Sequence, residues 1–267
     1  MYKGFKVIDA HCHIYPEKIA SKAVDGIGAF YDLKMHEGGT ASGLLEKGSK
    51  AGVDKFIIFS VATTPKQVKS INEFIAGEVS KHPDKFIGLG TIHPDSEDMK
   101  GDIEHLIELG LKGVKIHPDF QKFKLDDHRY LKAYEMCEGK IPVLIHTGDK
   151  RYDYSNPNRM KPLLEIYPNI TFIGAHFGGW SMWEKACEEL SGFKNFYVDC
   201  SSSFYALDPA KSRELIRKYG SEHVLFGTDY PMWNSDRELE YFFSLSLSDS
   251  ERENILHKNA QKIFKIC

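Results

Sequence analysis

Two histidines two residues apart, His11 and His13, close a short apolar run in Val7-Ile8-Asp9-Ala10-His11-Cys12-His13. In a strand, residues i and i+2 point to one face. Both imidazoles can then aim at one point, which is how a strand end offers two nitrogen ligands to a metal. Cys12, between them, faces the other way and reads as a buried thiol rather than a nucleophile. Five more polar residues come directly after apolar runs: Lys115 and His117 in GVKIHP, His146 in LIHTGD, His176 in GAHFGG and Asp229 in LFGTDYP. A divalent ion such as zinc takes three or four nitrogen or oxygen ligands and keeps an open position for water. His11, His13 and His146 supply the nitrogens, and Asp229 either ligates the ion or accepts a proton from its bound water. His176 either completes a second site or acts as an acid on the substrate.

Other residues could bind what the ion acts on. Lys115 reads as a cation that grips substrate or pairs with an acid such as Asp119, and His117 stands beside it. The stretch Asp149-Lys150-Arg151-Tyr152-Asp153-Tyr154 sets Arg151 next to two tyrosines. An arginine grips a carboxylate at two points, and an aromatic side chain such as Tyr152 covers a flat ring. Trp233 can wall the same cavity. Asp199 is suited to orient a ligand histidine from behind.

Such a constellation needs elements that bring distant segments together. Eight short β-branched or aromatic runs recur, at residues 5–10, 55–62, 86–92, 113–117, 141–146, 170–175, 196–200 and 223–228. Near-continuous apolar strands suit a parallel sheet covered on both faces. Helical stretches are expected near 40–51, 65–81, 97–109, 127–138, 158–166, 181–191, 208–219, 235–245 and 249–265. Asp208-Pro209 and Ser248 to Glu251 read as helix starts, and Gly52, Gly110, Gly139 and Gly220 as helix stops. Eight strand–helix units predict a (β/α)8 TIM barrel, whose strands all open their C-terminal ends onto one face, where chemistry sits. Every candidate residue lies at that end. No linker divides residues 1–267, which are read as a single barrel domain. Residues 14–39, with Pro16, Gly26, Gly28, Gly38 and Gly39, are expected to form a long active-site loop or lid.

Bulk properties narrow the field. The 267 residues carry 35 Lys and Arg against 38 Asp and Glu, a formal net charge of −3, which argues against a general grip on nucleic acid or anionic lipid. Five scattered cysteines without CxxC spacing, and no apolar stretch of membrane-spanning length, point to a soluble, cytoplasmic protein. The expected partner is a small-molecule substrate, with no nucleic acid and no membrane.

Taken together, IDAHCH, GVKIHP, LIHTG, GAHFGG, FGTDYP and the closing KNAQKIF resemble the amidohydrolase superfamily. More narrowly, they resemble the amidohydrolase-related branch that includes amino-carboxymuconate-semialdehyde and resorcylate-type decarboxylases. The resemblance implies a distorted (β/α)8 barrel with one or two divalent ions. Its ligand set falls on His11, His13, His146 and Asp229, with His176 and Asp229 catalytic. It implies one zinc, with a second metal as the open option if Lys115 is carbamylated, and a homodimer as an open option for assembly. The activity expected is that of a metal-dependent hydrolase of a small amide, ester or lactone. A non-oxidative decarboxylase of an aromatic or muconate-like acid is the alternative, and the shortness of the chain counts against it.

Overall fold

Eight parallel strands form the centre of the computed structural model, which describes residues 1–266; Cys267 lies outside them. They are β1 (Ile8–His13), β2 (Lys55–Phe59), β3 (Phe86–Gly88), β4 (Val114–Ile116), β5 (Val143–Ile145), β6 (Phe172–Gly174), β7 (Phe196–Asp199) and β8 (Val224–Leu225). Each falls within or overlaps an expected apolar run. β1 to β3 pair in one arc and β4 to β8 in another. The arcs meet at two seams, Gly90 beside Val114 and Cys12 beside Tyr230. At the first seam the Lys115 N–H donates to the Gly90 carbonyl at 2.7 Å. At the second, Ala10 donates to Phe226 at 2.8 Å and His13 to Tyr230 at 2.7 Å. The sheet is thereby a closed (β/α)8 barrel, as expected.

Alternation along the strands explains why the runs are apolar throughout. Ile8, Ala10, Ile57, Phe59, Leu144, Ile173 and Leu225 pack with one another inside the barrel. Phe56, Ile58, Val114, Ile116, Val143, Ile145 and Phe172 point outward into the larger core beneath the helices. The interior floor is closed from below by Ala260 and Phe264 of the last helix. Above the apolar layer, the next inward positions are polar, and this is where the candidate residues stand.

Among the described residues, twelve helices surround the strands: α1 (Glu17–Tyr31), α2 (Ala41–Lys50), α3 (Val68–Lys81), α4 (Met99–Glu108), α5 (Pro118–Gln121), α6 (His128–Cys137), α7 (Pro157–Ile166), α8 (Trp183–Leu190), α9 (Pro209–Tyr219), α10 (Ser235–Ser244), α11 (Asp249–Glu253) and α12 (Asn259–Phe264), the last two joined by a π turn. Asp208 caps α9 by accepting from Lys211 N–H, and Ser248 with Glu251 forms the capping box of α11. The expectation of a loop over 14–39 is corrected: α1 occupies its middle. Ala20 and Val24 give this helix a buried side, and no residue after Pro16 prevents a helix, since Gly26 and Gly28 only weaken one. Cys12, Cys137, Cys187 and Cys200 are free, buried thiols. Among the described residues, no helix is long and apolar enough to cross a membrane.

Candidate metal centre and active site

His11, His13 and Asp229 converge at the seam between β1 and β8. His11 Nε2 lies 3.3 Å from His13 Nε2 and 3.3 Å from Asp229 Oδ1, and His13 Nε2 lies 3.5 Å from the same oxygen. Two features place them. The β1 register shifts between Asp9 and Cys12, and Asp9 is pinned by Thr228, whose N–H and hydroxyl donate to it at 2.9 and 2.6 Å. Gly227 then passes so close that a Cβ there would stand 2.9 Å from the His11 Cβ. Asp229 itself has φ +61°, a left-handed conformation that is uncommon outside glycine and is a form of local strain typical of functional sites.

The proton on His11 is placed by its back. Its Nδ1 donates to Asp199 Oδ2 at 2.8 Å, so Nε2 presents a lone pair to the cluster. Asp199, at the end of β7, also accepts from the His176 and Ser201 N–H groups. Burial holds His11 and His13 well below the usual histidine range, and nearby positive charge adds to this, so both are neutral at pH 7, the form in which an imidazole can ligate a metal. Asp229 is pushed up to about 7 by burial. Its Oδ2 accepts from Ser202 Oγ at 2.5 Å, and Ser202 in turn accepts from Trp233 Nε1 at 2.9 Å. Trp233 therefore acts on Asp229 through Ser202 and stacks on Tyr205.

Lys115, on the inward position of β4, is fully buried, with Nζ 3.4 Å from His11 Nε2 and over the Phe59 ring. Burial lowers it to about 8, against the pull of Asp199 and Asp229. Those two, rather than Asp119, are its acidic neighbours.

His146 stands apart from the trio. It belongs with His117 and Asp119, with Nε2 3.8 Å from Asp119 Oδ2 and its ring stacked 3.9 Å from that of His117. Its Nδ1 meets His176 Nε2 at 3.1 Å, and the His176 ring lies 5.1 Å from that of His11. The structure thus brings three of the four expected ligands into one cluster and sets the fourth beyond His176. His176, whose φ is +59°, is lowered to about 3 by burial.

Arg151 is corrected. It is not free to grip a carboxylate, because Asp149 takes its guanidinium at 2.8 to 3.2 Å and its Nη1 donates to the Phe30 carbonyl at 2.7 Å. Tyr152 is 39% exposed and stacks on Phe30 rather than lining the site. Sequence reasoning missed Tyr31, Ser201 and Ser202, which carry no local motif. The Ser201-Ser202-Ser203 run just after β7 is the one signal that could have found the serines.

A family model described as amidohydrolase matches residues 8–266. The chain belongs to the amidohydrolase family. Among curated relatives, this amidohydrolase is 24% identical over 247 residues to a γ-resorcylate decarboxylase from Polaromonas sp. strain JS666, covering 73% of this chain and 75% of that one. Other relatives are γ-resorcylate decarboxylases and a 2-amino-3-carboxymuconate-6-semialdehyde decarboxylase from Dictyostelium discoideum. Among solved structures, a TIM-barrel protein from Bordetella bronchiseptica has TM-score 0.83 at 21% identity, over 98% of this chain and 99% of that one. A dihydroxybenzoic acid decarboxylase from Polaromonas sp. JS666, crystallised with manganese and the inhibitor 2-nitroresorcinol, has TM-score 0.74 at 18% identity, over 98% and 97%. The expectation of a hydrolase is overturned by these relatives, which are decarboxylases. Histidines and a carboxylate at barrel strand ends serve both reactions, so the residues by themselves did not separate them. Nor does the shortness of the chain count against the alternative, since three-quarters of the resorcylate enzyme is covered.

Proposed function

We propose that this amidohydrolase is a metal-dependent, non-oxidative decarboxylase of a small aromatic acid bearing a phenolic hydroxyl. The observation that carries the reading is the alignment with γ-resorcylate decarboxylase over about three-quarters of both chains. The donor set supports it. His11 Nε2, His13 Nε2 and Asp229 Oδ1 lie within mutual reach, and the Asp199 contact keeps the His11 proton on the far nitrogen.

These three would hold one divalent ion, while His146, expected as the fourth ligand, is paired instead with His176 and grouped with His117 and Asp119. Nitrogen and oxygen donors suit zinc and manganese alike, and a second ion would require a carbamylated Lys115. When bound, such an ion supplies positive charge that fixes and polarises an anionic substrate. The chain's own groups do the rest. Lys115 sets a buried amine beside the cluster, where a substrate carboxylate gains most from it. His117 Nε2 donates a hydrogen bond to a phenolic oxygen. Asp229, oriented by Ser202 and Trp233, takes up the proton of the substrate's phenolic hydroxyl on Oδ2 and gives it to the ring carbon as the bond from that carbon to the carboxylate breaks. Carbon dioxide leaves, the electron pair stays on the ring and takes the proton, and no oxidant is needed. His176 Nε2 accepts from His146 and keeps that ring in place.

Protein loaded with manganese or zinc and given 2,6-dihydroxybenzoate is expected to release carbon dioxide and form 1,3-dihydroxybenzene, with His13→Ala and Asp229→Asn inactive. Loaded protein that releases no carbon dioxide from any of a panel of hydroxybenzoates ends this reading.

A further inference from the structure

Tyr31, the last residue of α1, reaches into the site from the segment that follows β1. Its Oη lies 2.8 Å from His117 Nε2 and 3.5 Å from His146 Nε2. The protons along this set of contacts are fixed from both ends. Phe120 N–H donates to His117 Nδ1 at 3.3 Å, so His117 carries its own proton on Nε2 and donates it to the Tyr31 oxygen. At the other end, His176 Nδ1 donates to the Ser201 carbonyl at 3.0 Å, so His176 Nε2 accepts from His146 Nδ1. That leaves a lone pair on His146 Nε2 facing the Tyr31 hydroxyl. The phenol oxygen therefore has a donor on one side and an acceptor on the other, as a bound phenol would.

Little room remains beside it. The cavity bounded by Tyr31, Met35, His117, His146 and Asp229 holds about 20 Å³. That is space for one water, whereas a benzene ring occupies a cavity of about 150 Å³. An aromatic acid is admitted only when Tyr31 leaves. What holds Tyr31 is Arg151, which donates to the carbonyl of the preceding residue, Phe30. The guanidinium lies 4.8 to 5.4 Å from the ring centres of Phe30, Tyr31, Tyr152 and Trp180, and the buried Asp149 fixes it from the loop after β5.

We propose that Tyr31 is an internal phenol ligand of this pocket, displaced by the phenol of the substrate, and that Arg151 is the latch that keeps it in place. Displacement exchanges one phenol for another, so an acid without a ring hydroxyl leaves the His117 donor unpaired and is disfavoured. The nature of the displacing group rests on the decarboxylase reading; the closure does not.

Two measurements on manganese-loaded protein separate these parts. Diethyl pyrocarbonate modification, read residue by residue by mass spectrometry, reports access to His117, with His128, whose side chain is 90% exposed, as the internal standard. Native His117 is expected to react far more slowly than His128, and Arg151→Ala and Tyr31→Ala each to speed it about tenfold. Two variants guard against one that folds poorly. A native His117 as reactive as His128, or one unchanged in both variants, overturns the closure.

Binding of 2-nitroresorcinol tests the displacement. Tyr31→Ala is expected to bind it about tenfold more tightly than native protein, because the competing internal ligand is gone. Equal or weaker binding in the variant overturns the displacement, weaker binding marking Tyr31 as a substrate grip. If neither protein binds the probe while His117 still becomes reactive, the phenol assignment falls together with the decarboxylase reading, and the closure stands.

Discussion

His11 Nδ1 stands 2.8 Å from Asp199 Oδ2, although 188 residues separate the two along the chain. This contact decides which nitrogen of His11 faces His13 and Asp229. Asp199→Asn keeps the shape and removes the charge that favours Nδ1–H, so manganese affinity is expected to fall at least about tenfold. Competition against a fluorescent chelator measures it, and an unchanged dissociation constant would remove Asp199 from the role.

Ser202 is the support of Asp229. Ser202→Ala leaves Asp229 Oδ2 without its 2.5 Å partner and Trp233 Nε1 without its acceptor. The expected result is a 10- to 100-fold lower kcat on 2,6-dihydroxybenzoate, about 1.4 to 2.7 kcal/mol, at unchanged metal content. Trp233→Phe should show a smaller loss in the same direction. Metal analysis alongside steady-state kinetics would count against this support role if kcat held steady.

Glu238 offers a stability test away from the His11, His13 and Asp229 cluster. It is buried in α10, its Oε2 has no hydrogen-bond partner among the described residues, and burial pushes it from 4.5 up to about 8. The folded protein therefore holds a proton that the unfolded chain releases between these values, and stability falls as pH rises through that window. Glu238→Gln removes the dependence. At pH 8 the variant should gain on the order of 3 kcal/mol over native protein relative to their difference at pH 4.5. Denaturant titrations at the two pH values check this, and parallel curves would show that Glu238 ionises at no cost.

Gly227→Ala tests the close passage of β8 over His11. Its Cβ would lie 2.9 Å from the His11 Cβ, so the imidazole or the strand must shift. The expected cost is about 1–3 kcal/mol in stability, together with weaker metal binding. Thermal unfolding with and without manganese reads both, and a variant that matches native protein in both respects would show that the seam has slack.

Much of the architecture was legible because a two-sided parallel sheet requires apolar residues on both faces of every strand. Val143-Leu144-Ile145 and Phe56-Ile57-Ile58-Phe59 could be little else. α1 was hidden because Gly26 and Gly28 look like loop residues, while its buried side rests on just Ala20 and Val24. At the site, the His11 and His13 pair could be read from period-2 geometry alone. The partners of His146 could not, since His117 and Asp119 lie just after the neighbouring strand β4 and nothing in the sequence ranks them above His11 as partners. Arg151 misled for another reason: its acceptor, the Phe30 carbonyl, is 121 residues away and is a backbone atom, which no side-chain pattern records. The choice of reaction was illegible in principle, because the same donors bind either kind of substrate.

The ring of strands is joined at Ala10 to Phe226 and His13 to Tyr230, and the donor atoms of His11, His13 and Asp229 lie across that same join. A cation held there would work as a clasp on a necklace, tying the first bead to the last. Stripping it would loosen a joint on which the circular wall depends, so resistance to heat and the capacity for chemistry should rise and fall together.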